Sequence, residues 1–165
     1  MRISRVFGLL LVVGSLLGSG DSSDTKAAEM TYPVAVATDA QGAIYLADRN
    51  LPGVWQIKDG QRTLYFEGSK KFRTPLNAVR CLVVDAQGQL LAGDTSTREV
   101  YRFNAEKKPQ PLTKGGVGIP MVMALDKAGN LFIGDLETQR IFKQPAAGGE
   151  LVEFAKVDEI GRAHV

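Results

Sequence analysis

Six aspartates stand at regular spacing. Asp39, Asp85 and Asp126 are each followed three residues later by a glycine, Gly42, Gly88 and Gly129, and nine residues later by a second aspartate, Asp48, Asp94 and Asp135. Carboxylates in such numbers suggest a hard divalent cation, which takes oxygen ligands. The regularity argues otherwise. A metal site draws non-equivalent positions into one coordination sphere, whereas one carboxylate per repeat at the same place is a local device. Asp-x-x-Gly is ordinary turn chemistry: the carboxylate accepts from backbone N–H groups two residues on, and glycine supplies the positive φ. The first three aspartates and their glycines are therefore assigned to turns, and Asp48, Asp94 and Asp135 to capping the strand before them. No metal ligand and no catalytic residue is assigned.

Other reactive side chains are few. Cys81, the one cysteine, lies in an apolar run between Arg80 and Leu82 with no basic partner at motif spacing. It reads as a small core residue rather than a nucleophile, and an intrachain disulfide is impossible. His164, the one histidine, falls within Ile160-Gly161-Arg162-Ala163-His164-Val165. That hexapeptide reads as the translation of a sequencing adapter joined to a gene that stops short, and residues 160–165 are set aside before reasoning about fold. What remains has no histidine for general acid–base work.

The elements that must position these residues are repeats. Asp39-Ala40-Gln41-Gly42-Ala43-Ile44-Tyr45-Leu46-Ala47-Asp48 aligns without a gap on the segments beginning at Asp85 and Asp126, at separations of 46 and 41 residues. Periods in the forties with short strands indicate β-propeller blades, each a four-stranded sheet. The first strand is expected at 34–38, 80–84 and 122–125, and the second at 44–47, 90–93 and 131–134. The second is apolar on both faces, as a strand covered on both sides should be. The third contains 54–57, 100–103 and 141–144, and an outer edge strand is expected at 63–66, near 110–112 and at 151–154. Trp55, Tyr101 and Phe142 share one repeat position and are assigned to packing between repeats. The fold class is all-β: antiparallel four-stranded blades at about 33–68, 75–113 and 118–155.

Pro33-Val34-Ala35-Val36-Ala37-Thr38-Asp39, then Gly42, Ile44, Tyr45 and Ala47-Asp48, resembles an NHL repeat. The third repeat is similar, with Pro120 six residues before Asp126; the second departs with Val79 at that place. The resemblance implies a propeller of about six blades, three of them present, so the chain is expected to be a fragment with two open blade faces prone to self-association. The architecture is shared with the SMP-30/gluconolactonase and virginiamycin B lyase families, so it does not by itself assign an activity. Lactonases of the SMP-30 type hold a divalent cation with Glu, Asn and Asp, opening the first blade with Glu-Gly-Pro and placing Asn five before later turn aspartates. Here Thr31-Tyr32-Pro33, Arg80 and Met121 occupy those places, and Asn77 is three residues out of register. A lyase like virginiamycin B lyase would draw on histidine-bearing blades that are absent here.

The residue five before each turn aspartate is Val34, Arg80 or Met121, near the start of the innermost strand and the mouth of a central channel. An arginine among apolar equivalents reads either as a solvated or salt-bridged side chain, or as a fork presented to a carboxylate or phosphate. These three, with the loop aromatic Tyr32, are the candidate ligand-binding residues. The insertion 67–76, with Lys70, Lys71 and Arg73, reads as a solvated loop.

Composition sets the outer bounds. With 44% hydrophobic and 23% charged residues the chain is globular, and a net charge of +2 spread along the sequence shows no basic stripe for nucleic acid. Arg2 and Arg5, the apolar run 6–17 and the small polar stretch after it form a secretory signal over residues 1–28, helical before cleavage. The apolar run is too short to span a bilayer, and no cysteine follows it to carry a lipid anchor. The reading is an exported, periplasmic or extracellular scaffold (residues 29–159) binding a protein or small molecule. The alternative is a metal-dependent lactonase needing calcium, zinc or magnesium, with ligands in missing blades. Expressed in a secreting bacterial host, the exported protein is expected to begin at Asp21 or Ala28, which N-terminal sequencing and intact mass would check; an intact leader on exported protein would overturn the assignment.

Overall fold

Hydrogen bonds at the turns set the strand ends. In the computed structural model, which describes residues 29–156, Asp39 Oδ1 accepts from the N–H groups of Gln41 (3.0 Å) and Ala43 (2.9 Å). Asp85 does the same with Gln87 and Gln89, and Asp126 with Ala128 and Asn130. Gly42, Gly88 and Gly129 take φ of 83°, 77° and 82°, a region closed to most side chains. Each first strand thus folds straight back onto the second. The assigned signal (1–28) and the residues from 157 onward, including 160–165, lie outside the described residues.

Twelve strands follow in three antiparallel meanders. The first sheet is β1 (Pro33–Thr38), β2 (Ile44–Asp48), β3 (Gly53–Lys58) and β4 (Gln61–Glu67). The second is β5 (Val79–Val84), β6 (Leu90–Asp94), β7 (Glu99–Phe103) and β8 (Pro109–Pro111). The third is β9 (Pro120–Leu125), β10 (Leu131–Asp135), β11 (Arg140–Gln144) and β12 (Val152–Lys156). These are three propeller blades in chain order, and no helix among the described residues is long and apolar enough to cross a membrane. The edge strands depart most from expectation. β8 has only three residues, because proline at both of its ends removes ladder donors.

Blade packing follows from burial. Strand β6 of the middle blade is buried along its whole length, whereas β2 and β10 alternate buried and half-buried positions. Among the described residues, only the middle blade is covered on both faces. Between the first two blades lie Tyr45, Ala47 and Val54 against Leu82, Ala92 and Tyr101. Between the second and third lie Leu91 and Val100 against Ile133, with Met123 and Phe142 at the margin. Tyr101 and Phe142 therefore join blades, as their shared position suggested. Trp55 is on the same face of the first blade, where no described blade covers it, and Arg62 lies 5.4 Å from its ring centroid.

Leu91, with no exposed surface, and Val36, 62% exposed, test this layering. Leu91→Ala is expected to cost about 2–5 kcal/mol, and Val36→Ala less than about 0.5 kcal/mol, in urea denaturation. Equal losses would contradict it.

Candidate ligand-binding site at the channel mouth

The site is built by a repeated irregularity. In β1, Pro33 pairs with Asp48 and Ala35 with Ala47, leaving Val34 as a bulge. In β5, Val79 pairs with Asp94 and Cys81 with Gly93, leaving Arg80. In β9, Pro120 pairs with Asp135 and Val122 with Gly134, leaving Met121. A bulge frees one residue from the ladder and re-aims its side chain. The three candidate positions are thus three equivalent bulges on the innermost strands.

The capping aspartates hold these bulges. Asp48 Oδ2 accepts from the N–H groups of Thr31 (2.9 Å) and Tyr32 (2.7 Å). Asp94 accepts from Leu76 and Ala78, both at 2.9 Å, and from Ser96 N–H and the Thr97 hydroxyl. Asp135 accepts from Gly118 (2.6 Å) and Ile119 (2.9 Å). Burial pushes the Asp135 carboxyl upward, but the N–H groups of Gly118, Ile119 and Thr138 outweigh it and hold it below the ordinary carboxylate range. One backbone bond completes each clasp: Arg49 N–H to Tyr32 O, Thr95 N–H to Ala78 O and Leu136 N–H to Ile119 O, at 2.9, 3.1 and 3.0 Å.

Val34, Arg80, Met121 and Tyr32 line one open concavity of about 460 Å³ together with Arg49, which sequence reasoning missed. The Arg49 guanidinium carbon lies 5.5 Å from the Tyr32 ring centroid, a cation–π arrangement. Neither Arg49 nor Arg80 forms an ion pair among the described residues, so the salt-bridged alternative for Arg80 finds no carboxylate there. A signal for Arg49 was present: the residue after each capping aspartate is Arg49, Thr95 or Leu136, so the comparison that singled out Arg80 would have found it.

A second concavity of about 540 Å³ opens at the same end of the blades, lined by Phe72, Arg73, Thr95 to Arg98 and Ile119. Arg73 lies over the exposed Phe72 ring at 5.5 Å, and Arg98 pairs with Glu137 at 2.8 Å. Antiparallel pairing brings Arg49, Lys70, Lys71, Arg73, Arg80, Arg98 and Lys114 to one end of the sheets, with Glu29, Glu67 and Glu137 as exposed acids there. The Asp-x-x-Gly turns lie at the other end. Lys58, Lys107, Lys108 and Lys127 lie at that end, so basic residues are found at both ends of the sheets.

The remaining candidates have other surroundings. Cys81 is buried with its thiol donating to Pro120 O at 3.6 Å, and burial pushes its pKa up to about 12, so no thiolate forms near neutral pH. Burial, aided by the hydrogen bond its hydroxyl donates to Asp39, raises Tyr45 to about 12. Glu99, also missed, is buried. It accepts from Val100, Thr113 and Gly115 N–H and from the Thr113 hydroxyl, clamping the link from the second blade to the third. Its equivalents, Gly53 and Arg140, offer no pattern from which to find it. The mouth lining provides two guanidinium groups, a phenol and a thioether, but no carboxylate or amide oxygen, so it does not fit calcium, zinc or magnesium. Among the described residues no three His, Cys, Asp or Glu side chains converge on a metal position.

No protein-family model and no curated protein matches the chain. Solved structures do. A gluconolactonase from Xanthomonas campestris superposes with a TM-score of 0.66 at 17% identity, over 78% of this chain and 48% of that one. Virginiamycin B lyase from Staphylococcus aureus gives 0.60 at 15%, over 78% and 44%. A chain of a nidogen/laminin complex gives 0.63 at 22%, over 79% and 49%. The fold is that of NHL and SMP-30-like propellers, and the chain spans about half the length of the structures it matches.

Two outcomes test the clasp. Asp94→Ala removes the acceptor of the Leu76, Ala78 and Ser96 N–H groups and of the Thr97 hydroxyl, at about 1–3 kcal/mol for each buried donor, so a loss of at least about 2 kcal/mol is expected in urea denaturation. Because the folded Asp135 carboxyl titrates below its unfolded value of about 3.9, its contribution is present above that pH and lost as pH falls through the folded pKa. The stability gap between parent and Asp135→Asn should be open at pH 7 and narrow below the ordinary carboxylate range; a gap independent of pH would contradict the assignment.

Proposed function

We propose that the chain is an exported propeller scaffold that binds a carboxylate- or phosphate-bearing ligand at the channel mouth. One observation carries this reading. Two guanidinium groups without ion-pair partners among the described residues, Arg80 on a bulge and Arg49 beside Tyr32, open onto the same concavity next to the apolar Val34 and Met121. Arginine offers a planar fork matched to carboxylate and phosphate, and a ring beside it lowers the cost of holding it in place. The ligand is a small acid or an acidic protein segment. Export rests on the signal-like order of residues 1–28.

The test is titration calorimetry with citrate, glucuronate, inorganic phosphate and a short polyglutamate peptide. Binding is expected for at least one, weakening with salt and unchanged by EDTA. A charged hydrogen bond is worth about 1.5–3 kcal/mol, so Arg80→Met should weaken it about 10–100-fold. No saturable binding, or binding that survives in the Arg80→Met, Arg49→Leu double variant, would refute the proposal. The rival, a metal-dependent lactone hydrolase, draws support from the superposition on a gluconolactonase and needs metal ligands beyond the described residues. Hydrolysis of gluconolactone that disappears in EDTA would select it instead.

A further inference from the structure

The link from the first blade to the second, residues 68–78, carries side chains that joining blades does not require. The corresponding link to the third blade, 112–119, has no aromatic residue and no arginine, whereas this one presents Phe72 and Arg73. Phe72 is 71% exposed, yet the loop that carries it is tied down. Ser69 O accepts from the Asn77 side-chain amide at 2.6 Å, and Lys71 O from the Thr74 hydroxyl at 2.5 Å. Ser96 Oγ, on the second blade, accepts from Arg73 N–H at 3.0 Å. Near the end of the loop Leu76 is fully buried, donates its N–H to Asp94 and accepts at its carbonyl from Gly53 N–H. Arg73 and Leu76 take φ of 58° and 60°, left-handed values that residues with side chains hold only where their surroundings impose them. Phe72 thus stands out from a fixed loop.

The ring and Arg73 line the concavity of about 540 Å³, with Thr95 to Arg98 and Ile119 completing it. All of this lining belongs to the middle blade and the links on either side of it, so the site does not rest on where the chain begins or ends. It shares no residue with the lining of the mouth. Arg98 is answered by Glu137, but Arg73 has no ion-pair partner among the described residues, and Lys70 and Lys71 precede it in exposed positions. The hydroxyls of Thr95 and Thr97 donate to Ala78 O and Asp94, whereas that of Ser96 has no acceptor for its proton among the described residues. A guanidinium fork, a hydroxyl donor and an exposed ring side by side suit a carboxylate next to an apolar group. We infer that this concavity docks a protein partner through an extended acidic segment. Arg73 and Ser96 take its carboxylate, and a neighbouring apolar side chain lies on Phe72 and Ile119. A small acid alone would leave the ring bare, whereas a protein segment covers it. Aromatic residues and arginine are enriched where binding energy concentrates, and a loop already ordered avoids the entropy cost of being fixed on binding.

Phage-displayed random dodecapeptides test this, panned on the whole chain as recovered from the host and counter-selected on the Phe72→Ala, Arg73→Met double variant. Peptides that read the mouth bind both proteins and are discarded, so this test and that of the mouth fail independently. The peptides retained are expected to share an acidic residue beside an apolar one. In fluorescence anisotropy, a synthetic copy of the most enriched peptide should bind Arg73→Met about 10–100-fold more weakly than the parent. Phe72→Ala should weaken it at least about 10-fold, and added salt should weaken it in the parent. Both side chains are exposed, and circular dichroism with thermal melting would verify that each variant is folded. Changing the acidic residue of the peptide to its amide should abolish the effect of Arg73→Met, because the two changes remove the same contact. No enrichment, enrichment of neutral or basic peptides, or an amide peptide still sensitive to Arg73→Met would each overturn the inference.

Discussion

Everything at the mouth end of these blades depends on a buried carboxylate that closes the second strand of each blade. Asp48, Asp94 and Asp135 reach across to the segment leading into the first strand and satisfy its N–H groups, which would otherwise be stranded at the edge of a packed blade. Because two N–H groups are gripped at once, the chain enters the inner strand at a fixed place. The ladder then absorbs the extra residue as a bulge at Val34, Arg80 and Met121. Capping, bulging and display of the mouth residue are one physical event repeated in each blade.

That coupling lets the mouth vary without disturbing the scaffold. A bulged side chain takes no part in the alternation that buries one strand face, so arginine is tolerated there between Val79, which is buried, and Cys81. Arg80 beside the two apolar mouth residues gives the concavity its charge, and Arg49 adds a second guanidinium from the adjoining turn. The lining carries two guanidinium groups and, among the described residues, no carboxylate, because the caps direct theirs to backbone donors.

The blades follow one-dimensional logic. Each contacts only its neighbours, so the middle blade is buried on both faces while the outer two carry exposed apolar rows. The same side-chain positions are core in one blade and surface in another, and exposure is decided by place in the stack rather than by residue type.

How much of this was legible in the sequence varied with the range of the interaction. The repeat period, the Asp-x-x-Gly turns, the four-strand blades and the equivalence of Trp55, Tyr101 and Phe142 could all be read, because hairpin turns and strand alternation depend on neighbours a few residues apart. The same comparison of equivalent positions drew attention to Arg80. It gave no reason for a bulge, since nothing local distinguishes a bulged residue from a paired one. The partners of the capping aspartates lie 16 to 18 residues away and emerge only when the sheet closes. The place of Arg49 beside Arg80 and the clamp at Glu99 were likewise decided by tertiary structure. Antiparallel folding brings together loops that are far apart along the chain, and electrostatic character depends on that distance in space. By itself the sequence determined the blade and its repetition; the fold alone decided which side chains share a surface, because that depends on how the blades stack.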